Sequence, residues 1–157
     1  MTVYNKDIAR ELESAVPLCL QEGYDNCGWQ VGDPDAPCTG VMICVDPVPD
    51  RITEAVAAGC NLLVSHHPLL FHGLKRITGD PLVQQAVMAA IANGVSVYSL
   101  HTALDNASDP WGVSLEMARM LGLTDVTPLD ADSGAGAIGE VSLDVMLDLS
   151  GFVAKVK

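Results

Sequence analysis

The 157 residues contain four histidines, and two of them are adjacent. His66 and His67 end the apolar run Leu62-Leu63-Val64-Ser65 and are followed at once by Pro68. His101 follows Tyr98-Ser99-Leu100 and stands four residues before Asp105. Neutral imidazole together with carboxylate suits Zn, Fe, Mn, Co or Ni, whereas all-oxygen sites suit Mg and Ca. His66, His67 and Asp105 are therefore candidate metal ligands, the carboxylate being able to bridge two ions. His101 is a candidate for three roles: a further ligand, a proton shuttle, or a residue that orients a ligand. A lone histidine is more often a core or surface residue. An adjacent pair, joined by a second His/Asp group, shifts that balance toward metal. His72, in Phe71-His72-Gly73-Leu74-Lys75-Arg76, reads as an exposed polar residue, and Lys75-Arg76 as a solvated pair. Nucleophilic catalysis fits less well, since no G-x-S-x-G elbow occurs and no cysteine neighbours an expected base.

Three strands must deliver these groups. Val41 to Val45 reads as a strand ending in Asp46, Leu62 to Ser65 as a buried strand, and Val95 to Leu100 as a third. Between them lie helices. One has Pro49 at its first position, a buried stripe of Ile52, Ala55 and Val56, and a stop at Gly59. The next starts at Asp80-Pro81, runs through Val83, Val87, Ala90 and Ile91, and ends at Asn93-Gly94. Strands joined by one crossover helix are parallel, so their carboxyl ends share one edge of the sheet. Asp46, His66-His67 and the segment from His101 to Asp105 come at three successive strand ends. Ligands of α/β sheets bind at that edge. Pro68 has no N–H, so the ladder should stop there. Extended neighbours point to opposite sides, so the pair is expected either to serve two ions or to grip two sides of one pocket.

The flanking segments are less regular. Asn5 is expected to cap a first helix through Ile8, Leu12, Ala15 and Val16, ended by Pro17. Tyr24 to Gly32 reads as a shaped loop, and Asp109-Pro110 as the start of a helix to about Leu121. Gly134, Gly136 and Gly139 match G-x-G-x-x-G only formally and read as a flexible loop. Val141, Leu143, Val145 and Leu147 alternate as in a strand, and Ser150 is positioned to cap a short helix through Phe152, Val153 and Val156. There is also an echo. Ala58 to His66 and Asn93 to His101 each run helix stop, strand, serine, histidine.

Bulk properties set limits. A net charge of −12 argues against nucleic-acid binding, which needs clustered Lys and Arg. No apolar run approaches the roughly 18–20 residues that span a bilayer, so a membrane protein is not expected and a cytoplasmic one is. Cys19, Cys27, Cys38, Cys44 and Cys60 are odd in number and lack C-x-x-C spacing, which favours free thiols; Cys44 and Cys60 read as buried. The hydrophobic fraction of 49% exceeds what one small domain hides, pointing to an oligomer or a missing part of the fold.

Ser65-His66-His67-Pro68-Leu69-Leu70-Phe71, His101-Thr102-Ala103-Leu104-Asp105 and Asp25-Asn26-Cys27-Gly28-Trp29-Gln30-Val31-Gly32 together resemble the NIF-three-like (NGG-one-interacting factor) family of dinuclear metal proteins. Its bacterial members are often named GTP cyclohydrolase I type 2 homologues. Cys27 and Trp29 replace small aliphatic residues usual there, and Ala103 replaces a residue that is commonly polar. The resemblance implies an α/β fold, a two-metal site with His66, His67 and Asp105 as ligands, and a ring-shaped hexamer. It also implies a later histidine and glutamate completing the site, which these 157 residues lack, so the chain is expected to carry the N-terminal part of such a protein.

The expected architecture is a three-layer βαβ domain with a mainly parallel sheet, incomplete relative to the family fold. Residues 1–130 carry the motifs, and 131–157 form a glycine-rich loop, a strand and the start of a C-terminal segment. The expected function is metal-dependent hydrolysis of a nucleotide such as GTP, with two divalent ions and His101 moving a proton. The alternative is a non-catalytic metal-binding interaction or regulatory protein.

Overall fold

A computed structural model describes residues 2–108, 110–141 and 149–156. The chain packs as two compact units, residues 1–103 and 104–157, a cut that differs from a motif-based division at residue 130.

The first unit is mixed α/β. Its elements are α1 (Asn5–Ala15), a 3-10 turn (Leu18–Leu20), β1 (Gly28–Val31), β2 (Val41–Cys44), α2 (Pro49–Ala57), β3 (Leu62–Ser65), α3 (Leu82–Asn93) and β4 (Ser96–Ser99). The strand order is β1-β4-β3-β2, with β2, β3 and β4 parallel and β1 antiparallel to β4. Cys44 pairs with Ser65, and Ser65 with Ser99, so the three parallel strands end level. That register carries Asp46, His66-His67 and His101 to one edge, as the βαβ pattern requires.

Alternation along the strands sorts the side chains into two layers of contact. Leu63 and Val97 pack with Ile52 of α2 and with Ala86, Val87 and Ala90 of α3. On the opposite face, Ser96 and Tyr98 meet α1 through Asn5 and Glu13. The unit is thus helix, sheet, helices, and its strand β3 is buried at every position. Pro49 occupies the first turn of α2, and Gly94 ends α3 in the left-handed conformation that a glycine adopts without strain.

Several expectations fail in instructive ways. Tyr4, not Asn5, caps α1: the Tyr4 N–H donates to the Asp7 carboxylate at 2.9 Å. Asn5 is instead fully buried, donating to Ser96 Oγ and the Asp33 carbonyl. Gly28–Val31 is a strand where a loop was expected, because four residues behind a run of turn formers carry too little periodicity to register. Val56 of α2, expected in a buried stripe, is exposed, and so are Val83 and Ile91 of α3. Helix α3 is apolar nearly all round, so pattern alone could not choose its buried face. Cys44 and Cys60 are half-buried, and all five thiols are free.

The helix α4 (His101–Asp105) follows β4 directly. The second unit contains α5 (Val113–Leu121), β5 (Leu123–Thr127), β6 (Ile138–Val141) and α6 (Leu149–Val156). Gly112 caps α5, so Pro110 precedes the helix, and the expected cap Asp109 lies outside the described residues. β5 and β6 form an antiparallel ribbon. Between them Gly134 and Gly136 have φ of 78° and 70°, and the Asp130 backbone bonds Gly134 and Ala135. This turn joins two strands, so it is not the strand–turn–helix of a dinucleotide loop. The alternating segment beyond Val141 lies outside the described residues, and Ser150 is the second residue of α6, not its cap. No helix among the described residues is long and apolar enough to cross a membrane.

Candidate metal centre

Main-chain hydrogen bonds to neighbouring segments continue past the last residues of the strands, although the regular ladder ends there. The His66 N–H donates to the Cys44 carbonyl (3.1 Å) and the His67 N–H to the Val45 carbonyl (2.9 Å). Leu100 N–H donates to the Ser65 carbonyl (3.1 Å), and His101 N–H to that of His66 (2.9 Å). Pro68 then ends the pattern, having no N–H to give. Both histidine segments are therefore pinned by main-chain bonds, independently of any side-chain contact.

His66, His67 and His101 converge there, each offering one ring nitrogen, with these atoms all within 4.8 Å of one another. The ring centroids of His66 and His67 lie 4.9 Å apart, and each is 5.5–5.6 Å from His101. Strand alternation would have sent the adjacent pair to opposite faces. It does not apply, because β3 ends at Ser65 and both histidines lie beyond it. His101 takes a φ of 29°, uncommon for any residue but glycine, as it turns the chain from β4 into α4. Such conformations cost energy and gather at functional sites.

Two carboxylates within this unit hold ring nitrogens. Asp46 Oδ1 is 2.7 Å from His67 Nδ1, and Asp25 Oδ1 is 2.8 Å from His101 Nδ1. Burial alone would raise the Asp25 pKa. Hydrogen bonds from Thr102, His101, the Asn26 N–H and Cys27 outweigh it and hold the carboxyl well below the usual carboxylate range. The Cys27 thiol donates to the Leu100 carbonyl (3.0 Å) and to Asp25 (3.2 Å); burial, reinforced by Asp25, pushes its pKa up to about 12.

The loop that carries Asp25 also braces the other histidine segment. Asn26 Nδ2 donates to the Leu70 carbonyl (2.6 Å), and the Leu70 N–H donates to Gln30 Oε1 (3.0 Å). Gln30 Nε2 closes the loop on the Asn26 carbonyl (2.7 Å). Segment 25–30 is thus tied both to the start of α4 and to the chain after His67. Beside His67, Val48, Leu69, Leu82 and Val83 line an open cleft of about 160 Å³ with Asp46 in its lining. Phe71 rests edge-on against His101, their ring centroids 6.1 Å apart.

Of the residues singled out in the sequence, His66, His67 and His101 come together. His72 is exposed against Phe71, as expected. Asp105, the expected carboxylate ligand, is the half-buried last residue of α4, four positions after His101, and belongs to the second unit. Asp46 was recognised at the shared edge without a role. Asp25 was quoted in a motif without a role of its own, and its contact with His101, 76 residues away, supplies one. Three imidazoles at this spacing form a donor set that suits a borderline divalent cation.

Comparison with known proteins bears on the family and the fold. Residues 3–157 match the family described as Duf34/NIF3 (NGG1p interacting factor 3). A GTP cyclohydrolase 1 type 2 homolog of Clostridium acetobutylicum is 36% identical over 122 residues, covering 78% of this chain and 45% of that protein. The crystal structure of a Bacillus cereus protein related to NIF3 superposes with a TM-score of 0.76 at 31% identity, covering 82% of this chain and 35% of that one. Reduced HcgD from Methanocaldococcus jannaschii gives a TM-score of 0.79 at 30% identity, covering 88% of this chain and 54% of that one. The chain spans about half the length of the curated relatives it matches.

Proposed function

The chain belongs to the Duf34/NIF3 family, and from that premise we propose that it binds divalent metal through His66, His67 and His101 and serves metal-dependent hydrolysis of a nucleotide such as GTP. The observation that carries this reading is the convergence of three ring nitrogens within 4.8 Å. Asp105, one helical turn after His101 on α4, is proposed as the carboxylate ligand, with two ions (Zn, Fe, Mn, Co or Ni) as the full complement. When bound, such ions supply Lewis-acid chemistry that polarises a phosphoryl or carbonyl oxygen.

The chain's own residues prepare the site in three ways. The parallel register delivers the histidines. Asp25 and Asp46 hold two of the rings by Nδ1. The apolar side chains of the cleft beside His67 offer a place against which the ring of a base could stack. Of the three roles open to His101, its place in the cluster supports the ligand role best, ahead of a proton shuttle. The name given to the Clostridium acetobutylicum relative supports GTP as the first substrate to test. Exposed apolar side chains on β2 (Val41, Ile43), just after it (Val45) and on α3 (Leu82, Met88, Ile91) support a homo-oligomer, the hexamer being the proposal, and a cytoplasmic location is proposed with it.

Elemental analysis after reconstitution, combined with a GTP-turnover assay, tests this reading. Metal is expected in the wild-type chain and lost in His66→Ala and His67→Ala. Failure to bind any of the five metals overturns it. Metal binding without turnover leaves the interaction or regulatory role in its place.

A further inference from the structure

Asp25 lies among five donors, and their arrangement dictates where protons sit. Its Oδ2 accepts the Thr102 N–H (3.1 Å), the Thr102 hydroxyl and the Cys27 thiol (3.2 Å). Its Oδ1 accepts the Asn26 N–H (2.7 Å) and faces His101 Nδ1 at 2.8 Å. An ionised carboxylate only accepts, so Nδ1 carries the proton of the neutral ring. The His101 lone pair is then on Nε2. The Asp25 side chain is 0% exposed. Asp46 makes the same contact with His67 at 2.7 Å, but there the two side chains are 63% and 46% exposed.

We propose that Asp25 is a positioning residue that locks His101 in its Nδ1–H tautomer with Nε2 free to ligate, and that Asp46 acts likewise on His67 but weakly. The lock is a property of the metal-free chain. Its value for metal capture rests on the reading above. Carboxylates that accept the second ring N–H of a ligating histidine fix its orientation and raise its basicity.

Asp25 also ties its loop to the start of α4, and a purely structural tie is the competing explanation. Asparagine separates the two. In Asp25→Asn the amide oxygen is drawn to the corner where three donors meet. The NH2 group then faces His101 Nδ1, which must accept, so the ring proton moves to Nε2, and the Asn26 N–H loses its acceptor at some cost in stability. A ring protonated there cannot ligate through that atom. The shape is conserved while the tautomer is reversed.

The test is two-dimensional NMR of 15N-histidine-labelled, metal-free protein, recorded at a pH at which the nitrogen shifts show the rings neutral. Wild-type His101 is expected as Nδ1–H, Asp25→Asn as Nε2–H, and His67 of Asp46→Asn as a mixture. Zinc affinity, measured against a chromophoric chelator, is expected to fall roughly 10–100-fold in Asp25→Asn and less than tenfold in Asp46→Asn. Thr102→Val, which removes a donor but keeps the carboxylate, is expected to lower stability and leave the His101 tautomer unchanged. An Nε2–H or mixed His101 in the wild type overturns the proposal even if Asp25→Asn does not fold. An unchanged tautomer in folded Asp25→Asn overturns it as well. If the wild-type chain takes up no zinc, the metal reading fails, and the tautomer spectra still decide the lock.

Discussion

Ser65 and Ser99 face each other in register across β3 and β4, their hydroxyl oxygens 2.7 Å apart. Both also reach the His67 carbonyl, Ser65 at 2.8 Å and Ser99 at 3.3 Å. They are the matching serines of the two echoed segments, so the repeat has a physical use: a buried polar pair under the turn that presents His67. Replacing either by alanine leaves a buried hydroxyl with fewer partners. Each single change is expected to lower stability by about 1–2 kcal/mol. Urea denaturation of metal-free protein measures this, and a loss below about 0.3 kcal/mol in both variants contradicts it.

Gly32 is the tightest point of approach between the β1 segment and β4. Its φ is +105°, and an added Cβ would lie 2.5 Å from the Ser96 Cα, a backbone atom that cannot swing aside. Gly32→Ala therefore strains both segments, and a loss of about 3 kcal/mol or more is expected. A thermal melt within a degree or two of the wild type is the contrary result.

The thiol chemistry should be uneven. With its pKa pushed up to about 12 by burial and by Asp25, Cys27 stays protonated near neutrality, and only the thiolate reacts. Cys19 is exposed. Alkylation with iodoacetamide at about pH 8, followed by peptide mass mapping, should modify Cys19 well before Cys27. Equal rates would mean that the Cys27 environment is more open than described.

Tyr98 links pH to stability from the alkaline side. It is fully buried and donates to Glu13 Oε1 at 2.6 Å; burial first, and then the Glu13 carboxylate, raise its pKa well above the ordinary phenol value. A folded pKa above the unfolded one stabilises fully at pH values below the unfolded pKa of about 10, and that share is lost as pH climbs toward the folded value. Stability should fall above about pH 10 in the wild type, and less steeply in Tyr98→Phe. At neutral pH the same variant should lose about 1–3 kcal/mol, because Glu13 loses a partner. Denaturation curves between neutral and alkaline pH separate the two effects.

Much of the site was legible before any coordinates. Apolar runs separated by helices with glycine stops require parallel strands, and parallel strands put His66, His67 and His101 at one edge. The echoed serines were visible too, though not their contact. What stayed hidden was either short or long-range. β1 has only Trp29 and Val31 as apolar residues and sits among turn formers, unlike the equally short but apolar β2 and β3, and α4 has five residues, too few for a helical period to stand out. Asp25 pairs with His101 across 76 positions, and nothing local in Tyr24 to Gly32 marks which of its polar residues would turn inward.

The sequence by itself determined the order of elements and the chemical types delivered to the rim, because hydrophobic period, proline and glycine act within a few residues of themselves. Only tertiary structure decided that the two adjacent imidazoles converge instead of diverging, and that buried Asp25 and exposed Asp46 hold the rings. Those outcomes depend on where β3 stops and on which distant loop packs over α4. Both are set by burial and hydrogen bonding between segments far apart in the chain.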